Sequence, residues 1–175
     1  MPNITEFRTA IRSGLVRQHK WRVIFNFPAF ASTSEVARQA SLQARTANIP
    51  SSTLGVMEVP YGGRVLPLPG DRQYEEFTTN FIAVNDHKVR DALERWSENI
   101  NGSESNIGLA NLEDYMRDVV LEMLDNNDNV TKTYVLKDAW PVIIGQSDLD
   151  QGSQDSFVEF PVTWRFINYE SNTTL

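Results

Sequence analysis

The stretch EVPYGGRVLPLPGDRQYEEFTTNF, residues 58–81, decides the fold. Two apolar runs, Val56–Val59 and Val65–Leu68, surround Tyr61-Gly62-Gly63. The glycine pair supplies the positive φ that a tight turn between paired strands requires, so Leu54–Val59 and Arg64–Leu68 read as the arms of a hairpin. Pro60, Pro67 and Pro69 have no N–H for a ladder, which confines the arms to a sheet edge or to a projecting ribbon over residues 54–69. After the Pro69-Gly70 corner, Tyr74–Val84 alternates as a strand. Phe77, Thr79, Phe81 and Ala83 share one face, and Glu76, Thr78 and Asn80 share the other. The stretch carries β-structure with no His, no Cys and no nucleophile motif.

Working outward, Trp21–Phe27 alternates and ends at Pro28. Before it, Ile4, Phe7 and Ile11 recur at helical spacing, predicting a short helix over Ile4–Ser13 that Gly14 stops. Residues 1–18 then form an N-terminal arm. Ala31–Ala40 fits a turn of helix or a loop equally, and Ser41–Ile49 reads as a weak strand. Asp86 opens the best-defined helix, through Asn101, with Val89, Ala92, Leu93, Trp96 and Ile100 on one face. Tyr115–Leu124 and Thr131–Ile144 are strands joined by Asp125–Asn129, and Ser147–Ser156 is an acidic loop. The last strand, Phe157–Tyr169, sets Val158, Phe160, Val162, Trp164 and Phe166 against Glu159, Thr163, Arg165 and Ile167. Hairpin-like links outnumber helical crossovers. The expected fold is mainly β (α+β): an antiparallel β-sandwich or barrel with one packed α-helix and a short N-terminal helix, in one domain over 1–175.

Composition excludes several function classes. Hydrophobic residues at 41% and charged residues at 22% are ordinary globular values. There are 23 Asp and Glu against 16 Lys and Arg, a net charge of −7, which opposes a free-standing nucleic-acid binder. The absence of cysteine removes disulfides, thiolate zinc sites and Cys nucleophiles. Met1–Lys20 has no apolar core, so a secretory signal is not expected, and the four Asn-x-Ser/Thr sequons are read as chance. No run approaches the ~20 apolar residues of a membrane span, so no anchor is expected.

A catalytic constellation is not found. The two histidines, His19 and His87, lack metal-motif spacing. Asp148-Leu149-Asp150 begins like a calcium loop without completing one, and Asp125–Asn129 is the chemistry of a tight turn. Glu75 and Glu76 are strand neighbours that point to opposite faces and cannot act as a dyad. No enzyme activity, cofactor or metal is expected. Arg8, Arg12, Arg17, Lys20 and Arg22 make the N-terminal region basic, suited to phosphate or to an acidic neighbouring subunit.

The run ARTANIPSSTLGVMEVPYGGRVLPLPGDRQYEEFTTNFIAVNDHKVRDALERWSENING, Ala44–Gly102, resembles the tail tube proteins of contractile-tailed bacteriophages. EFRTAIRSGLVRQHKWRVIF near the N-terminus and LKDAWPVIIGQSDLD with FPVTWRFINYE near the C-terminus share the likeness. The resemblance implies a β-sandwich subunit that closes into hexameric rings. These stack into a hollow tube conducting genomic DNA, with relatives in phage-like injection systems and type VI secretion. It implies a virion location in the tail, assembly in the host cytoplasm, and as partners the chain itself, the tail sheath, the baseplate and the tail terminator, with DNA passing unbound.

On that reading Glu76, Thr78, Asn80, Glu159, Thr163 and Arg165 are candidates to line the channel, on a wall expected to be negative in sum. Phe7, Ile11, Tyr61, Val65 and Leu68 are candidates for subunit or ring interfaces. Lys88, Arg95 and Glu98, opposite the helix's apolar face, are candidates to meet a sheath. Two alternatives stay open: the inner tube of a contractile injection system, and a monomeric β-sandwich binding module using Tyr61, Tyr74, Trp140 or Tyr169 as stacking platforms.

Overall fold

In the computed structural model, which describes residues 3–12 and 14–174, the alternating segments become strands: β1 (Trp21–Phe25), β2 (Ala44–Ala47), β3 (Ser52–Tyr61), β4 (Arg64–Tyr74), β5 (Phe77–Ile82), β6 (Arg117–Leu124), β7 (Val130–Ile144), β8 (Glu159–Arg165) and β9 (Asn168–Ser171). The helices are α1 (Ile4–Ala10), α2 (Ser34–Gln43), α3 (Lys88–Ile100) and α4 (Leu112–Tyr115). Every strand pairing is antiparallel. The main sheet runs β1-β6-β7-β8-β5-β2, and β9 also pairs with β7.

β7 belongs to two halves of that sheet. Its Tyr134–Lys137 segment pairs with β9 and, through Tyr134–Leu136, with β6. Its Trp140–Ile144 segment pairs with β8. Between them Asp138 takes φ 55° and the register against β6 shifts, a bulge that bends the strand. The Asp118 carboxylate holds the bend, accepting from the Asp138 amide at 3.1 Å and from Lys137 Nζ at 3.0 Å. The two halves face each other across one core. Phe25 of β1 stacks on Trp164 of β8 at 5.2 Å and meets Phe81 of β5 at 5.3 Å.

β5 and β8 alternate as their sequences require: Phe77, Thr79, Phe81, Phe160, Val162 and Trp164 are buried. The buried Thr79 hydroxyl is satisfied by Trp164 Nε1 at 2.9 Å. α3 buries Val89, Ala92, Leu93 and Trp96. Trp96 packs edge-on to Trp164 and Phe27, and its Nε1 donates to the Tyr115 carbonyl at 2.8 Å.

Several sequence boundaries change. The ambiguous 31–40 region is helical as α2, because Ala40 is fully buried and Ser41 turns its hydroxyl to the Ala37 carbonyl at 3.1 Å. α2 continues through Gln43 and leaves only Ala44–Ala47 of the 41–49 segment as strand. Tyr74 closes β4 rather than opening β5. Tyr115 lies in α4, outside β6. The long C-terminal strand breaks at Phe166-Ile167, where the Ile167 amide donates to the Lys137 carbonyl at 3.0 Å. Phe157 precedes β8 and is exposed. Asp86 is not the cap residue. His87, at φ 50°, holds that position, while Asp86 accepts weakly from the Lys88 amide at 3.4 Å. Asn3 caps α1 through its side chain, and Ser13, the expected end of that helix, lies outside the described residues, as do Met1, Pro2 and Leu175.

Candidate assembly surfaces

β3 and β4 form a two-stranded ribbon that, among the described residues, pairs with no other strand. Gly62 and Gly63, at φ 57° and 76°, make its turn, and Tyr61 faces Arg64 across it. Lower down the register shifts at Gly55. There the backbones of Gly55 and Asp71 approach so closely that a Cβ on Gly55 would sit 3.2 Å from the Asp71 carbonyl oxygen. The ribbon's base is held by Tyr74, which packs on Tyr169 at 5.2 Å and Phe166 at 5.9 Å.

The register sorts the ribbon's side chains. Met57 faces Leu68, Val59 faces Leu66 and Tyr61 faces Arg64. The intervening pairs, Val56 with Pro69, Glu58 with Pro67 and Pro60 with Val65, point to the opposite face. One face is therefore nearly all apolar and the other rich in proline. Tyr61 and Leu68 share the first, whereas Val65 lies on the second. The apolar side chains are largely exposed, Tyr61 at 85%.

The outer face of the β8-β5-β2 half carries Glu76, Thr78, Asn80, Glu159, Thr163 and Arg165. Thr78 lies across from Thr163, and Asn80 from Pro161. Arg165 Nε meets Glu76 Oε1 at 2.9 Å. Arg45 of β2 pairs with Glu159 and lies over the Phe157 ring at 5.2 Å. Arg45 was not singled out in the sequence, since its partner is fixed by strand order. Each glutamate on this face thus has an arginine, so with Arg45 counted these four charges cancel, while the six residues named from the sequence carry two glutamates against one arginine. Asn48 extends the β2 edge, accepting from the Thr78 amide at 2.6 Å and donating to the Glu76 carbonyl at 3.2 Å.

On α3, Lys88, Arg95 and Glu98 are exposed, but only Glu98 lies opposite the buried face, while Lys88 and Arg95 flank it beside residues 29–36. Lys88 pairs with Asp86 at 3.1 Å, which holds the Asp86 carboxyl below its usual range. Glu98 is engaged by Ser103, whose amide donates at 2.8 Å and hydroxyl at 3.1 Å. Arg90, half-buried beside this face, bridges to Glu94 at 2.9 Å. In the arm, Phe7 is exposed and Ile11 partly covered. A groove of about 220 Å³ follows, lined by Val16, Trp21, Ile49, Leu121 and Met123 and edged by Arg17 and Lys20.

The acidic turns are occupied by their own backbones. Asp125 accepts from the Asn127 and Asn129 amides at 2.7 and 2.9 Å and from Asn129 Nδ2 at 3.1 Å. These bonds, the Asn129 side chain first, lower its pKa. Asp150 accepts from the Gly152 amide at 2.9 Å. Among the described residues no three His, Cys, Asp or Glu side chains group as metal ligands, and no helix is long and apolar enough to cross a membrane.

The phage tail tube protein family matches residues 16–172. The tail tube protein of Serratia phage KSP90 is 45% identical over 174 residues, covering 98% of both chains. Tail tube protein gp19 of Enterobacteria phage T4 is 21% identical over 131 residues, 74% of this chain and 80% of the relative. The fold is shared with a chain of the anti-feeding prophage baseplate, at TM-score 0.67 and 19% identity over 90% of this chain and 95% of that one. It is shared equally with a chain of an extracellular contractile injection system's sheath–tube complex, at TM-score 0.67 and 11% identity over 98% and 99%. The chain belongs to the phage tail tube protein family and is a structural component of the virion tail.

Proposed function

We propose that six copies close into a ring and that rings stack into a hollow tube through which genomic DNA passes. The observation that carries this reading is the strand order of one half-sheet, β7-β8-β5-β2. Among the described residues its two ends, β2 and the Trp140–Ile144 part of β7, are each paired on one side only, which leaves two different open edges. One copy's β2 edge can meet the next copy's β7 edge, a head-to-tail contact that closes when the rotation per subunit divides a full turn. The half-sheets then join into one barrel, whose inner wall is the face bearing Glu76, Thr78, Asn80, Glu159, Thr163 and Arg165.

A charge-paired wall suits transit. Phosphate binding depends on free cations that release counterions, and here each arginine on that face already holds a glutamate. α3 lies with Lys88, Arg95 and Glu98 toward a sheath. The ribbon, with Phe7 and Ile11 of the arm, contacts neighbouring subunits or rings, and tube ends meet a baseplate and a terminator. Assembly takes place in the host cytoplasm. Negative-stain microscopy of the purified protein is expected to show six-fold rings or tubes with a central channel. A strictly monomeric protein at high concentration, with sheath and baseplate proteins added, would refute the reading.

A further inference from the structure

In an antiparallel ribbon, residue pairs alternate between those that exchange hydrogen bonds and those whose N–H and C=O groups point outward. The pair closing a two-residue turn, Tyr61 with Arg64, is hydrogen-bonded. The outward pairs are then Pro60 with Val65, Glu58 with Pro67 and Val56 with Pro69. All three strand prolines fall at outward positions, where their missing N–H breaks no bond inside the ribbon.

Their distribution makes the ribbon's two edges unequal. Along β4 the outward positions 65, 67 and 69 hold one amide N–H, that of Val65, followed by two prolines. Along β3 the positions 56, 58 and 60 hold two in succession, Val56 and Glu58, spaced as a ladder needs. Prolines on an edge block strand addition, so β4 is closed along Pro67–Pro69 and β3 is open along Val56–Glu58. An isolated two-stranded ribbon is also marginally stable, and this one exposes most of its apolar side chains.

We infer that the β3 edge, through the amides of Val56 and Glu58, adds in β-fashion to an open strand edge of a second copy of this chain, while the β4 edge is kept from pairing. The inference rests on the self-assembly reading above. A second copy is the fitting occupant because, apart from the β2 and β7 edges used in ring closure, the main sheet also ends on β1 and β9, each paired with one strand only among the described residues, and an assembly of identical copies supplies one such pair of edges for every ribbon.

The test compares Glu58→Pro with Val65→Pro, each removing one outward amide from one edge, with Glu58→Thr as a control that drops the carboxylate but keeps the N–H. Thermal unfolding checks folding, and sedimentation gives the critical concentration for polymerisation. Glu58→Pro is expected to raise that concentration about tenfold, the scale of one lost ladder hydrogen bond, with Val65→Pro and Glu58→Thr near wild type. Amide exchange on assembled wild-type protein reads the same question without substitution: Val56 and Glu58 protected on assembly, Val65 not. Equal behaviour of the two proline variants, or protection of Val65 instead, overturns the edge assignment while wild-type tubes leave the assembly reading standing. Wild-type protein that never polymerises overturns both.

Discussion

Removing the two glutamates of the charge-paired face should turn the proposed channel wall into a DNA-retaining surface. Glu76→Gln with Glu159→Gln keeps side-chain size and frees Arg165 and Arg45, whose partners those glutamates are. Each pair is partly exposed to solvent, so the loss of stability should be no more than about 0–1 kcal/mol per pair. In a ring of six, the change uncovers two guanidinium groups per subunit. If only half of them reach a phosphate, about six contacts form. With a salt slope of about −0.9 per contact, affinity falls roughly 10³-fold between 50 and 200 mM salt. The assay loads assembled tubes with labelled double-stranded DNA and follows release across that range. Wild-type tubes should release at every salt concentration, and the double variant should retain DNA at 50 mM and release it at 200 mM. Variant tubes that release DNA equally at low salt would refute the placement of this face on the channel.

Trp96→Ala should destabilise the fold by about 3–5 kcal/mol in urea denaturation, since Trp96 is fully buried, packs against Trp164 and Phe27, and donates to the Tyr115 carbonyl. A loss below about 1 kcal/mol would place it outside the core. Tyr61→Ser with Leu68→Ser, on one face of the ribbon, should abolish polymerisation of a folded protein seen by electron microscopy, whereas Val65→Ser on the other face should not. The Asp125 carboxyl titrates below its ordinary value, so its contribution is fully present above that value and is lost as pH falls through the lower folded one. The protection of the Asn127 and Asn129 amides, taken against their intrinsic exchange rate at each pH, should therefore fall only in that acidic window, and an Asp125→Ala variant should show the lower protection already at neutral pH.

What the sequence revealed follows from which forces are local. The alternation of Phe77–Ile82 and Glu159–Arg165 was legible because side chains on a strand alternate faces whatever their partners. The helix around Trp96 was legible because five apolar residues recur at its period. The Gly62-Gly63 turn was legible from backbone sterics, and it even fixes the ribbon's register. Val65 therefore belongs opposite Pro60, on the other face from Tyr61 and Leu68. α2 was ambiguous because Ser, Ala and Gln give a weak apolar stripe, and its stability comes from burying Ala40. The bend at Asp138 depends on Asp118, 20 residues away, and the Arg45–Glu159 pair depends on which strand follows β5. Neither is written in a local pattern.

The acidic balance of the chain also acquires a different meaning from the one its net charge suggests. On the candidate channel face the charges cancel. Much of the excess sits in loops, turns and the short α4: Asp148, Asp150 and Asp155 between β7 and β8, Glu104 in the loop after α3, Glu113 and Asp114 in α4, and Asp128 after β6, all exposed. Charges beyond about 8 Å from a passing phosphate are screened at physiological salt, so loop carboxylates act on DNA only if a loop enters the channel. Indifference to DNA would then come from pairing at the wall and not from repulsion by the whole subunit. Asp148→Asn with Asp150→Asn separates the two. It removes two negative charges per subunit, as the glutamine pair at the wall does, but leaves both arginines engaged. DNA release from such tubes should match wild type at 50 mM salt, while the Glu76→Gln, Glu159→Gln tubes retain it. Equal retention by both variants would show that total charge governs transit and that the ion pairs on the face are incidental to it.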